Sequence, residues 1–243
     1  MWNVRTREPP PGWGSDPLSE FIDNALVNIF ATFVHKRIEY KHILHVDSCF
    51  YKAASNLSNP TDFIGAFLLL RSHSAYRAAC RLALSGQAAE SYVVLRSCLE
   101  YAIYALHINK NPRLAAIWLQ RHDDDASLRA VRNEFQHAKV IGTLQRTDPK
   151  LYEAIALLYE RTIDSGAHPN ERAITGSTKI GDCAKSKEYL QIYLHGDGLA
   201  LELALKTTAQ CGLGGLLVFE CIYPERFALL GMTEELHRLR RKM

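Results

Sequence analysis

The stretch VRNEFQHAKV, residues 131–140, sets Arg132, Asn133 and His137 within six positions. Arginine carries a permanent charge, histidine exchanges a proton near neutral pH, and asparagine offers both a donor and an acceptor. These types fit a nucleic-acid-cutting site, half of a metal site through Glu134-x-x-His137, or the wet side of an ordinary helix. Read as one helix, the segment buries Leu128, Val131, Phe135 and Ala138 as its apolar stripe. Asn133 and His137 then lie opposite that stripe, and Arg132 flanks it about 140° from His137 around the axis. Chemistry there requires a second surface laid against this face.

A second constellation lies in SYVVLRSCLEYAIYALHI, where Arg96, Glu100 and His107 interrupt an apolar run. On a helix these three fall within roughly 40° of one another. Polar groups on such a helix are costly unless paired. The preceding helix offers His73, Arg77 and Arg81 at i, i+4 and i+8. Two arrangements follow: a polar pocket between the helices that holds an anionic ligand, or a structural ion pair of Glu100 with Arg77 or Arg96. In SGAHPN (165–170), Pro169 pushes His168 into an extended conformation just past a helix end. The helix dipole favours the protonated imidazole there. His168 is placed for acid–base work, or equally for a turn in which it binds a carbonyl, and Asn170 can cap or turn the chain. The candidate ligand-binding set is therefore Arg77, Arg96, Glu100, His168 and Asn170.

Three pairs, Glu39/His42, Glu134/His137 and Glu234/His237, share the E-x-x-H spacing of carboxylate-bridged di-metal bundles. Such a core also needs single carboxylates from two further helices; Glu100 supplies one and no second stands out. A ferritin-like reading therefore ranks behind the others. His35, Glu39 and His42 share a stripe that is either a solvated face or an adventitious metal site. No metal or cofactor is expected from the motifs, and no Ser/His/Asp arrangement stands out. Six cysteines, with no C-x-x-C spacing, read as reduced core thiols of a cytoplasmic protein.

The elements that must position these groups are mostly helical. Residues 1–16, with a Pro-Pro-Pro run, Trp2 and Trp13, read as a poorly structured arm that docks by its indoles. Residues 17–243 read as a single domain. Asp16-Pro17 opens a long helix to about Asn56, with Ile22, Leu26, Ile29, Phe33 and Leu44 on one side. Thr61 or Asp62 caps a second helix ending near Gly86, and the apolar third helix, about 88–109, is the bundle centre. A short helix runs through Trp118, HDDDAS caps the helix of Arg132 and His137, and Asp148-Pro149 opens another that Gly166 closes. STKIGD (177–182) and EYLQIYLH (188–195) predict a small β-hairpin. A helix at about 199–222 follows, its Gly212, Gly214 and Gly215 permitting close packing, and a basic helix ends the chain. The fold class is all-α in the main, a multi-helix bundle with a hairpin insertion. A net charge of +3 is too small to argue nucleic-acid binding from totals. The N-terminal stretch has no apolar core of the signal-peptide kind, and the longest apolar run, residues 212–223, is too short to span a membrane.

Arg132-Asn133-x-x-x-His137 resembles the R-x4-H signature of HEPN-type helical ribonucleases. That resemblance implies metal-independent RNA cleavage in a cleft between two protomers. It makes His137 the acid/base, Arg132 the cation that stabilises the phosphorane, and Asn133 a group that helps orient them. The tyrosine common two places after the histidine is Lys139 here. Residues 60–230 also look like a broad group of uncharacterised bacterial helical-bundle proteins. These carry Arg-Ser-x-x-Glu on a central helix and a histidine after a later one, matching Arg96, Glu100 and His168. The expectation is thus a cytoplasmic, homodimeric bundle that cleaves or binds RNA in defence or stress. The alternative is a non-catalytic bundle that takes a small anionic ligand or a protein partner in the polar pocket.

Overall fold

Asp16 accepts hydrogen bonds from the backbone N–H groups of Leu18 and Ser19 and so caps α1 (Pro17–His35). The structure, a computed structural model, describes residues 9–57, 63–169, 171–183 and 186–242. Trp2, the Thr61/Asp62 cap and Asn170 lie outside the described residues. Trp13 lies in a turn and is 37% exposed.

The expected helix from 17 to 56 is two helices. The backbone breaks at Lys36 (φ −111°, ψ 52°), and α2 (Arg37–Ser55) follows. The break places the Lys36 ammonium 2.6 Å from Asp197 and 2.7 Å from Glu202, partners far away in sequence. The supposed core stripe is also only partly buried: Leu26, Phe33 and Leu44 are exposed, and α1 instead buries Ser19, Ala25 and Thr32. Val27, Phe30, Val34 and Ile38 recur at helical spacing on the outside.

Next come α3 (Phe63–Leu84) and α4 (Ala88–Lys110), the latter buried along most of its length, as its composition predicts. The short α5 (Arg113–Leu119) leads to α6 (Asp125–Glu134), capped by Asp124, and then to α7 (His137–Thr147). Asp148 caps α8 (Pro149–Thr162) through the N–H groups of Lys150 and Leu151. The helix does not stop at Gly166 as a simple cap. It widens into a π-turn, Ile163–Ala167, whose Gly166 lies against the Ala89 carbonyl, so closely that a Cβ would collide with it. After α9 (Glu171–Gly176), β1 (Thr178–Cys183) and β2 (Ser186–Gln191) pair antiparallel with Ile180 opposite Tyr189. The hairpin is exposed; Ile192 and Leu194, expected in the second strand, lie beyond it and are half-buried. The chain closes with α10 (Leu199–Ile222), α11 (Pro224–Leu229) and α12 (Met232–Arg240).

Helix α4 packs against α3, α10, α7, α8 and the π-turn. Leu95, Leu99, Ile103 and Leu106 are fully buried along it. Glycine lets α10 come this close: a Cβ at Gly212 would overlap the Tyr76 ring and crowd Val46. Tyr76 cannot retreat, because its ring is fully buried and its hydroxyl donates to the Ile43 carbonyl at 2.9 Å. No helix among the described residues is long and apolar enough to cross a membrane.

Two glycine substitutions separate packing from propensity. Gly212→Ala forces an overlap with Tyr76 and should destabilise by about 1–3 kcal/mol. Gly142→Ala, inside α7 with only ordinary contact to Arg146, should stabilise by up to about 1 kcal/mol. Urea unfolding reads both, and equal midpoints would remove the close-packing role of Gly212.

Candidate functional site

On α4 the four-residue spacing brings Arg96 and Glu100 together, with Nε 2.9 Å from Oε1. Both are half-buried against α8, where Leu151, Ile155 and Tyr159 form the buried stripe. The Tyr159 hydroxyl donates to the same Glu100 oxygen at 2.9 Å, and the Arg96 guanidinium carbon lies 5.0 Å from the centre of its ring. Burial and the adjacent Glu100 charge push the Tyr159 phenol well above its ordinary range, so it remains a donor. Burial opposes the Arg96 charge, but Glu100 more than offsets it and holds the guanidinium protonated.

The imidazole of His137 stacks on this tyrosine, with ring centres 4.4 Å apart and planes at 21°. The structure thereby joins two features that are separate in the sequence, the Arg-x4-His motif and the Arg96–Glu100 row. It does so by a route that differs from the expected one. Residues 128–138 are not a single helix: α6 ends at Glu134, Gln136 is extended (φ −61°, ψ 139°), and α7 starts at His137. Phe135 makes the corner. Its buried ring stacks on Tyr104 at 5.2 Å and meets His107 edge-on at 5.6 Å. Arg132 and Asn133 therefore occupy the last turn of α6 and His137 the first turn of α7, and straight-helix angles between them do not hold. All three are exposed. Among the described residues, Arg132 makes no ion pair and the His137 ring nitrogens make no hydrogen bond.

On another side of the corner is a cleft of about 320 Å3 lined by His107, Asn111, Arg113, Glu134, Lys139 and Arg146. Three cations here face one carboxylate. Arg113 and Lys139 each stand 3.6 Å from Glu134. Buried His107 donates from Nε2 to the Glu134 carbonyl at 3.2 Å, which leaves Nδ1 to accept from the Thr143 hydroxyl at 2.7 Å. Arg146 in turn donates to Thr143 at 3.2 Å. Burial pushes His107 below its ordinary value, so it is neutral at pH 7.

The other expected members of the ligand-binding set are placed differently. Arg77 does not join Arg96 or Glu100. It faces α2, where Nε and Nη2 clasp the two Asp47 oxygens at 2.7 and 2.9 Å, and His73 meets the same carboxylate at 2.7 Å. Burial opposes ionisation of Asp47, but these two partners prevail and lower its pKa. His168 is extended (φ −136°, ψ 147°), as Pro169 requires, and exposed. The π-turn before it rests on Ala89, about 10 Å along α4 from Arg96. No described hydrogen bond or ring contact links His168 to Arg96 or Glu100. Of the expected pocket, only Arg96 and Glu100 meet.

The E-x-x-H pairs do not converge either. Glu134 and His137 stand on opposite sides of the corner, Glu234 is exposed, and His237 lies 3.7 Å from Glu220. Glu100 is committed to Arg96 and Tyr159. What sequence reasoning missed is Tyr159, although its place on a core stripe signalled a buried hydroxyl in need of a partner.

The buried His107 fixes a pH dependence. Its folded pKa lies below the ordinary 6.5, so the unfolded chain binds more protons as pH falls. Its contribution to stability is complete above the unfolded value and is lost as pH drops through the folded one. Between about pH 7 and 5, His107→Gln should show a shallower fall in melting temperature than the parent chain. Parallel curves would show that another group carries the acid sensitivity. Compared with protein-family models, curated proteins and solved structures, the chain gives no match.

Proposed function

We propose that this bundle is a metal-independent ribonuclease of the cytoplasm, acting as a homodimer on RNA at the α6–α7 corner. The observation that carries the proposal is His137: an exposed imidazole with free ring nitrogens, backed by Tyr159, at a corner rich in cations. The chemistry needs no group beyond those present. The ribose 2′-oxygen attacks the adjacent phosphorus and loses its proton to His137. The 5′-oxygen leaves and takes a proton back, giving a 2′,3′-cyclic phosphate and a 5′-hydroxyl. Arg132 stabilises the negative charge on the phosphorane, and Asn133 orients the group. Arg113, Lys139 and Arg146 hold neighbouring phosphates, which supplies locally the basic footprint that a net charge of +3 does not. Tyr159 holds the His137 ring through stacking, and Glu100 and Arg96 hold Tyr159. A second protomer supplies the facing surface.

The cationic cleft also favours a second reading, a bundle that binds a small anion without cutting. Labelled RNA incubated with purified protein in the presence of a chelator separates the two. The nuclease reading expects cleavage with cyclic-phosphate ends. It expects His137→Ala to lose about 100-fold or more in rate while RNA affinity holds. Lys139→Ala with Arg146→Ala should instead weaken binding and reduce the salt slope by about 1.4 for a single strand. Unchanged cleavage in His137→Ala rejects the nuclease reading, and anion binding without cleavage transfers the site to the second one.

A further inference from the structure

Helix α2 carries a polar face that the site around His137 does not use. His45 and Cys49 are four residues apart and share that face. Against them lies Glu235 of α12, a helix seated in the core by Met232, Leu236 and Leu239. His45 Nε2 is 2.6 Å from Glu235 Oε1, and the ligand atoms of His45, Cys49 and Glu235 all lie within 4.8 Å of one another. Cys49 is 1% exposed and belongs to the apolar core, at the edge where His45 and Glu235 meet. An ion pair between His45 and Glu235 accounts for two of these groups, and the Cys49 sulfur stands within 4.8 Å of both.

We propose that His45, Cys49 and Glu235 form a binding site for a zinc-class divalent ion. One nitrogen, one sulfur and one oxygen donor are the mixture that zinc and its first-row neighbours accept. Magnesium and calcium, which require oxygen ligands, do not. Bond lengths of about 2.0–2.3 Å place donors around a tetrahedral zinc roughly 3.2–3.7 Å apart. Binding therefore has to draw the thiol inward and part His45 from Glu235. His45 and Glu235 are partly exposed, so solvent can reach the site from their side. Binding exchanges the thiol proton for the metal: the Cys49 S–H bond breaks, the thiolate–metal bond forms, and H+ leaves to solvent. One thiolate and one carboxylate then balance the two charges of the ion. Lys52, 3.8 Å from the other Glu235 oxygen, is the ammonium the metal competes with. Because binding releases the thiol proton, affinity rises with pH.

The full chain, kept reduced and freed of metal, is titrated with Co2+ and then with Zn2+. The expected result is a thiolate-to-cobalt charge-transfer band that saturates at one equivalent and is abolished by zinc. Cys49→Ala loses the band. His45→Gln and Glu235→Gln, which leave the buried thiol in place, weaken cobalt affinity by at least about tenfold. Zinc should also raise the melting temperature of the parent chain, because it links α12 to α2, and should fail to do so in His45→Gln. No band at stoichiometric cobalt overturns the proposal, and so does a band that survives in Cys49→Ala. The chelator-resistant RNA cleavage expected at His137 neither requires nor excludes this site.

Discussion

Helix α4 can lie at the centre of the bundle because its charges are matched where they stand. Its surface is apolar on almost every side, so neighbouring helices can cover it all round. Arg96 and Glu100 keep part of their surface in water and supply each other's opposite charge where α8 covers the rest. Tyr159 completes the arrangement by giving the carboxylate a second donor. Docking α8 on α4 thus depends on a hydroxyl–carboxylate contact as well as on Leu151 and Ile155. Because α8 is fixed this way, the outer surface of Tyr159 is available to receive His137. A constraint of burial on one helix has become the floor of a polar surface site.

The corner at Phe135 is the second consequence. A straight helix through residues 128–138 would bury Phe135 only where its stripe happened to point. The chain instead turns, and the ring fills the space between Tyr104 and His107 while His107 satisfies the Glu134 carbonyl that the turn exposes. Apolar burial and carbonyl satisfaction therefore act at the same place. The outcome is that His137 begins a helix, with its side chain outside the turn and against Tyr159.

Much of the architecture was legible because local chemistry decides it. Asp16-Pro17, Asp124 and Asp148-Pro149 start helices through caps that need no tertiary partner, and the apolar run around Leu99 announces a central helix. Gly212 was readable as a packing glycine because no strand precedes it. The breaks at Lys36 and Gln136 were not legible, since neither carries glycine or proline. Lys36 departs from the helix toward Asp197 and Glu202, and Phe135 turns toward Tyr104 and His107, all of them contacts between distant parts of the chain. The same reason hid half of each site. The four-residue spacing of Arg96 and Glu100 or of His45 and Cys49 is visible in one helix, whereas Tyr159 and Glu235 arrive from others. The row of His73 and Arg77 was visible too, but not the side of α3 on which its partner Asp47 waits.

The two polar sites differ in the way their donors are held, and that difference assigns them different chemistry. Around His137 the imidazole is exposed and stacked on a phenol held protonated, and the cations line a cleft on another side of the same corner. Around Cys49 the donors are a buried sulfur, a carboxylate and an imidazole, which together attract a soft cation and repel phosphate. One surface suits proton transfer to a substrate that comes and goes. The other joins α2 to the last helix, so an ion bound there would act first on stability and on the position of α12. The two groups are built from different helices around the same central α4 and α10 core.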